Sequence, residues 1–272
     1  MTAVAVPQPA LAEVGVDLLR VSRRRRWLAF IRPALGVATF AFAVAVGWWY
    51  LTPILVFLIF VAVVTATHDV VHGALGLGRR GTDWALFLLG LMLLESGHAY
   101  RVSHLRHHRL FPSRADPEGR PAMLSFFGAI CYGPIFLPRL WWWALWSRRG
   151  RAGWAERSWL LAEGAVAPAA LGAGVAAWSV SPALLVYVVM VIVGSWVYPL
   201  LTVHLPHRDF GDTPITQTRT LRGRIIPALF LELTYHLEHH LYPQVPSHHL
   251  AELSRRLDPY LRAGGARIHR VP

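Results

Sequence analysis

Residues Tyr235–Pro246 read YHLEHHLYPQVP, and three histidines in that stretch decide how the rest of the chain is read. His236, His239 and His240 are spaced so that, on a helix, all three imidazoles share one face. Imidazole is the commonest nitrogen ligand for zinc, copper and iron, and imidazoles clustered without thiolates suit those metals better than magnesium or calcium. Upstream, Ser103–His108 (SHLRHH) repeats the H-x-x-H-H spacing with His104, His107 and His108. HDVVHG adds His68 and His72 at i and i+4, and HLPHR adds His204 and His207. A lone histidine is ordinarily a core or surface residue. Ten of the chain's 14 histidines in four such groups exceed what one mononuclear site can use, which implies two metals or much redundancy.

Composition sets the medium. Hydrophobic residues make up 54% of the 272 and charged residues only 15%, against about 25% charged in an ordinary soluble domain. The net charge of +12 comes from 27 arginines with no lysine. In an apolar chain of this kind a basic balance is read as membrane topology, not as nucleic-acid binding. The single cysteine, Cys131, excludes a disulfide framework or an iron–sulfur site within the chain.

No charged residue occurs from Ala34 to Thr67. As one helix that stretch would run about 51 Å, well beyond the roughly 30 Å of hydrocarbon, so it is expected to fold as two spans. Gly47-Trp48-Trp49-Tyr50 marks the interfacial break, with Thr52 as N-cap and Pro53 as first helical residue. Trp159–Trp178 and Ala183–Val203 repeat the plan with Ser181-Pro182 at the turn, and the returning helix delivers His204 and His207. Every arginine lies in 20–32, 79–157 or 208–270, outside both turns, so the positive-inside rule places the termini and every histidine group in the cytoplasm of an inner-membrane protein. Trp84–Leu94 is too short to cross and reads as a re-entrant or interfacial helix running on into His104–His108. Ala122–Trp146 is long enough, but Gly128, Gly133, Pro134, Pro138 and Arg139 break it up, with Trp141–Trp143 as interface anchors. The expected architecture is all-α: four transmembrane helices in two hairpins under a cytosolic histidine-bearing cap. The expected divisions are a basic N-terminal tail (1–26, weakly patterned and mobile to residue 22), one membrane domain (27–262) and a C-terminal tail (263–272).

HDVVHG, HLRHH and HLEHH, set in this order at the ends of paired apolar hairpins, resemble the three histidine boxes of the membrane fatty-acid-desaturase superfamily, which includes acyl desaturases and carotenoid ketolases and hydroxylases. The resemblance covers roughly Ala34 to Pro246. It implies a non-haem centre of two iron ions that uses O2 to attack an unactivated C–H bond. By this resemblance the ligands are His68, His72, His104, His107, His108, His236, His239 and His240. HLPHR resembles the ketolase segment that supplies a further ligand; His207 matches its histidine, and His204, standing where that pattern has no ligand, is the tenth candidate.

Asp69 and Glu238 stand inside the boxes, where they would either fix imidazole tautomers or lie solvated beside basic neighbours. Glu163, one turn inside the third span, is a functional candidate by position, but the simpler reading has it reach out to the interface. Glu95 and His98 lie near the substrate or at the interface, and His248 and His249 open an exposed turn after an N-cap at Ser247. Leu250, Leu253, Leu257 and Leu261 form an apolar stripe for packing or for a membrane surface.

The chain carries no G-x-G-x-x-G, P-loop or C-x-x-C, so electrons come from outside, from a ferredoxin-like or cytochrome b5-like donor. Arg106, Arg109, Arg148, Arg149, Arg222 and Arg224 could dock such an acidic partner, although enforcing topology alone accounts for them. Two other classes compete. An intramembrane zinc hydrolase lacks an H-E-x-x-H motif here, and a metal transporter places its sites near the bilayer midplane, not at the ends of spans. The compact chain and HLPHR favour oxygenation of a carotenoid ring, with desaturation of an acyl lipid as the alternative; hydrophobicity does not separate them.

Overall fold

The computed structural model describes residues 7–147 and 154–272; Arg148, Arg149 and Arg151 lie outside them. Among the described residues, four helical stretches are long and apolar enough to cross a membrane: Arg23–Ala45, Trp49–Val71, Trp154–Ala176 and Ala183–His207. The second is the axle of the fold, with 72% of its apolar window buried inside the protein against 17 to 28% for the others. Exposed Trp27, Phe42, Leu58, Val175 and Val189 on these stretches form the apolar surface an integral membrane protein turns to lipid.

The first crossing, α1 (Arg23–Ala45), starts behind Ser22, whose hydroxyl accepts from the Arg25 amide at 3.2 Å. Arginines in a first helical turn oppose the helix dipole; a topological signal explains them where helix stability does not. The chain turns at Gly47 (φ 83°) and a short 3-10 turn, Trp49–Leu51, before α2 (Thr52–Val71). Thr52 is thus the first residue of α2 and not its cap: its hydroxyl donates to the Trp49 carbonyl at 2.7 Å. At the second hairpin the cap position falls to Pro182, and Ser181, one residue before it, accepts from the Ala183 amide at 3.3 Å.

Between the hairpins lie α3 (Arg79–Leu93), α4 (Gly97–Leu110), α5 (Phe126–Cys131) and α6 (Gly133–Ser147). Among the described residues none of these is a candidate crossing, in keeping with four spans. Two expectations are corrected here. The first apolar helix does not run on into the second histidine group: it ends at Leu94, which takes a left-handed conformation (φ 56°), and α4 starts afresh. The two helices approach so closely that a Cβ on Gly97 would stand 2.4 Å from the Leu86 carbonyl oxygen. Secondly, Ala122–Trp146 breaks at Ser125 and Tyr132, whereas Pro138 and Arg139 lie within the unbroken α6.

The third crossing comprises α7 (Trp154–Gly164) and α8 (Val166–Ala176), and the fourth starts as α9 (Ala183–Ser195). The fourth widens into one π-type turn, Leu200–His204, where the Leu205 amide reaches back to the Leu200 carbonyl. Beyond it come β1 (Arg219–Arg222), α10 (His236–Leu241), α11 (Leu250–Ala263) and β2 (Arg267–Arg270). β1 and β2 pair in parallel with Arg219 opposite Arg267, so residues 267–270 are ordered against the cap. The leucine stripe of α11 is fully buried against Leu237, Leu241 and Leu18, which makes it packing. Leu18 also anchors the segment expected to be mobile; Gln8 donates to the Leu241 carbonyl at 2.8 Å and Tyr242 to that of Pro9 at 2.6 Å.

Candidate metal centre

Three helix ends and one span end converge on the side away from the hairpin turns. The end of α2 brings His68 and His72, the second half of α4 brings His104, His107 and His108, and α10 brings His236, His239 and His240. His207 arrives at the end of the fourth crossing. Two groups form. His68, His72, His104 and His239 hold candidate ligand atoms all within 4.8 Å of one another, and so do His107, His207, His236 and His240. His108 sits at the seam: its Nε2 is 3.2 Å from that of His104 and 2.9 Å from that of His239, and its ring stacks on His240 at 4.2 Å.

The tautomers carry the argument for a cation. His107 donates through Nδ1 to Asp116 at 2.6 Å, His104 through Nδ1 to Glu118 at 3.1 Å, and His207 through Nδ1 to the Gln217 carbonyl at 3.3 Å. A neutral imidazole holding its proton on Nδ1 presents a lone pair at Nε2. Yet the Nε2 atoms of His107 and His207 face each other at 3.2 Å, where two lone pairs repel unless a proton or a cation lies between them. An ion bound at roughly 2.1 Å from each nitrogen spaces neighbouring ligands by about this much and turns the repulsion into ligation. The residues therefore fit a pair of metal ions. Burial, and then the neighbouring imidazoles, holds His104, His108, His236, His239 and His240 well below the usual histidine range, so they are neutral at pH 7 and free to ligate. His107 differs. Burial pulls it down, but the Asp116 hydrogen bond and charge outweigh that and leave it raised.

His204 does not join. It is buried, its Nδ1 donates to the Pro121 carbonyl at 3.0 Å, and its ring meets Phe126 edge-on.

The carboxylates were misread in sequence. Asp69 accepts from the Ser247 amide at 3.0 Å and hydroxyl at 2.8 Å, and its nearest approach to His68 Nδ1 is 3.8 Å. Ser247 is therefore bound to Asp69 and does not cap the half-buried His248-His249 turn. Glu238 is fully buried and accepts from Ser254 and Arg222, touching no imidazole. The imidazole-orienting carboxylates are instead Asp116 and Glu118, from the loop after α4. Glu118 also accepts from Ser103 at 2.6 Å, and burial pushes its carboxyl up to about 7. The sequence signal for this pair is DPE close behind a histidine box in an acid-poor chain. Glu163 is also corrected: it does not reach the interface but is buried, accepting from His98 Nδ1 at 2.7 Å and from Ser96 at 2.5 Å. His98 lies stacked on Trp159 at 5.1 Å.

An apolar cavity of about 320 Å³ ends on both groups. Phe57, Phe60, Val64, Leu201 and Phe230 line its length, and His68, His104, His107, His236 and His239 face into it. A hydrocarbon chain placed there is shielded from water and held against both histidine groups.

A family model described as fatty acid desaturase matches residues 45–272. The chain is also similar to dihydrorhizobitoxine desaturase of Bradyrhizobium elkanii, with 29% identity over 261 residues that cover 79% of this chain and 70% of that protein.

Proposed function

The chain belongs to the fatty acid desaturase family, and from that premise we propose that it is a membrane oxidase that desaturates an apolar chain with O2 at a pair of iron ions. It is an oxidoreductase built around four membrane-crossing helices. The observation that supports the proposal best is the convergence of Nδ1-protonated imidazoles, Nε2 lone pairs inward, at the end of an apolar cavity.

On this reading one iron is held by His68, His72, His104 and His239 with His108 beside it, and the other by His107, His207, His236 and His240. The irons supply oxidising power drawn from O2. The protein's own part is to hold His104, His107 and His207 by their far nitrogens, through Glu118, Asp116 and the Gln217 carbonyl, and to lay the substrate C–H bonds beside the centre in an apolar cavity. The balance is CH2–CH2 + O2 + 2 e− + 2 H+ → CH=CH + 2 H2O, with the two electrons from an external ferredoxin-like or cytochrome b5-like donor. Arg109 and Arg224 are exposed for docking such a partner, while Arg106 lies over Trp143 at 5.8 Å and Arg222 is paired with Asp258. The arginine distribution supports placing the histidine end in the cytoplasm.

The similarity to a desaturase of Bradyrhizobium elkanii favours desaturation over oxygenation of a carotenoid ring. Purified protein should carry about two irons per chain, and H107A or H239A should abolish activity while the protein still inserts; stoichiometric zinc in active protein would overturn the proposal. Expression in a host making β-carotene and saturated acyl lipids, with mass spectrometry of both pools, separates new double bonds from a carotenoid gaining a hydroxyl (+16) or a ketone (+14).

A further inference from the structure

The cavity that ends on the histidines has one wall of a different character. β1 and the Thr234 segment run side by side, the Leu221 amide donating to the Thr234 carbonyl at 3.0 Å, and Arg219, Leu221 and Thr234 all line the cavity. Arg219 is its one arginine, set among Leu205, Pro206 and Ile226. The other acid or base besides the histidines is Glu118, whose two oxygens are engaged by Ser103 and His104.

Arg219 does not stand alone in its charge. Its guanidinium donates to the Arg208 carbonyl, and Arg267, its register partner on β2, donates to the same oxygen at 3.0 Å. The acid nearest this group is Asp209, 3.8 Å from Arg219 and with a side chain 75% exposed to solvent. The Arg208 guanidinium lies 3.4 Å from the same carboxylate, so two guanidinium groups share one solvated acid, with Arg267 beside them. Two donors on the cavity wall are moreover unspent: Arg219 Nε and Thr234 Oγ1 are buried with no hydrogen-bond partner among the described residues. Unmatched buried donors cost free energy that an acceptor-bearing ligand restores, and an anionic acceptor restores most. Burial and Arg267 also hold Arg219 below the usual guanidinium range, a strain that an anion relieves.

We infer that the Arg219–Thr234 wall is the subsite for an anionic oxygen group on the substrate, so that the chain in the cavity ends in a carboxylate or a phosphate. This rests on the cavity being the substrate site of the proposed desaturase. A carotenoid ring brings no charge to this wall and leaves the guanidinium facing hydrocarbon. The two anions share one recognition chemistry, a planar donor fork meeting paired oxygens.

The test is equilibrium binding to metal-loaded, detergent-purified protein with three probes of equal chain length: palmitate, palmitoyl lysophosphatidate and hexadecanol. Wild type should bind one or both anions at least about tenfold tighter than the alcohol, the size a charged hydrogen bond gives, and the tighter anion identifies the source. R219Q should reduce the preference to within about threefold, and R219K should retain part of it. R267Q loses the same bond to the Arg208 carbonyl without removing the cavity's arginine, and should keep most of the preference; this separates charge recognition from a loosened loop. Equal binding of all three probes by wild type, or an undiminished preference in R219Q, overturns the inference. Binding needs no turnover. A protein that prefers the anions yet oxidises no chain refutes the proposed reaction alone, and one that desaturates hexadecanol as well as palmitate refutes this subsite alone.

Discussion

His107 Nδ1 and Asp116 Oδ2 lie 2.6 Å apart, with both side chains buried, and Asp116 also accepts from the Glu118 amide at 2.9 Å. One loop residue therefore fixes the ring of one metal group and the backbone of the carboxylate that fixes the other. D116N should lower iron affinity by about 10- to 100-fold, the usual effect of removing a partner of a ligating histidine. Iron content under competition with a chelator checks this, and wild-type retention of both irons would contradict it.

His204 and His207 should separate cleanly. H207A removes one ligand of the second group and should leave about one tightly held iron per chain, whereas H204A should keep both. An equal loss in the two variants would mean that His204 is drawn into ligation when metal binds.

Glu163 anchors the first turn of α4, accepting from Ser96, His98 Nδ1 and the His98 amide, the last at 3.3 Å. E163A strands these buried donors and should destabilise the protein by about 1–3 kcal/mol, seen as a lowered unfolding temperature. E163Q, which keeps acceptor capacity, should lose less. If alanine and glutamine behave alike, the hydrogen bonds are not what matters.

Burial, and then the nearby Glu163 carboxylate, pushes the Glu95 carboxyl up to about 7. A carboxyl whose folded value lies above its unfolded one stabilises most below the unfolded value and loses that contribution as pH rises through the folded one. Wild-type unfolding temperature should therefore fall between about pH 4.5 and 7, and E95Q, which cannot ionise, should fall less. Parallel curves would refute the assignment.

Reporter fusions offer a test of parity. Fusions at Trp49 and Val180, in the two hairpin turns, should face the side opposite to one at Arg114, in the loop after α4. A fusion at Arg114 on the side of the turns would add a crossing between α2 and α4.

Eight of the nine converging histidines were legible because the i, i+3 and i+4 spacings encode a helical face directly, and His207 through the resemblance of HLPHR to the ketolase segment. The two hairpins were legible because a charge-free stretch longer than the bilayer must turn back. What lay hidden was tertiary. Asp116 and Glu118 follow a cis Phe111–Pro112 bond in an irregular loop, where no period says which side chains turn inward. Leu94 breaks the chain between α3 and α4 without the glycine or proline that normally announces a break. Glu163 looked like an interfacial acid because its partners, Ser96 and His98, come from a different helix. Asp69 sits beside His68 in sequence, yet its hydrogen bonds go to Ser247, 178 residues away.

Each histidine group draws from both halves of the chain: His68, His72 and His104 wait for His239, and His107 waits for His207, His236 and His240. The spans can enter a bilayer as they are made, but neither group is whole until residue 240 has left the ribosome. Two metal ions would then stitch the early and late halves together, closing loops such as the 171 residues between His68 and His239. On the proposed di-iron reading, metal supply would thus act as a late checkpoint in biogenesis: a chain starved of it would be inserted with its two halves still unfastened at the histidine-bearing end.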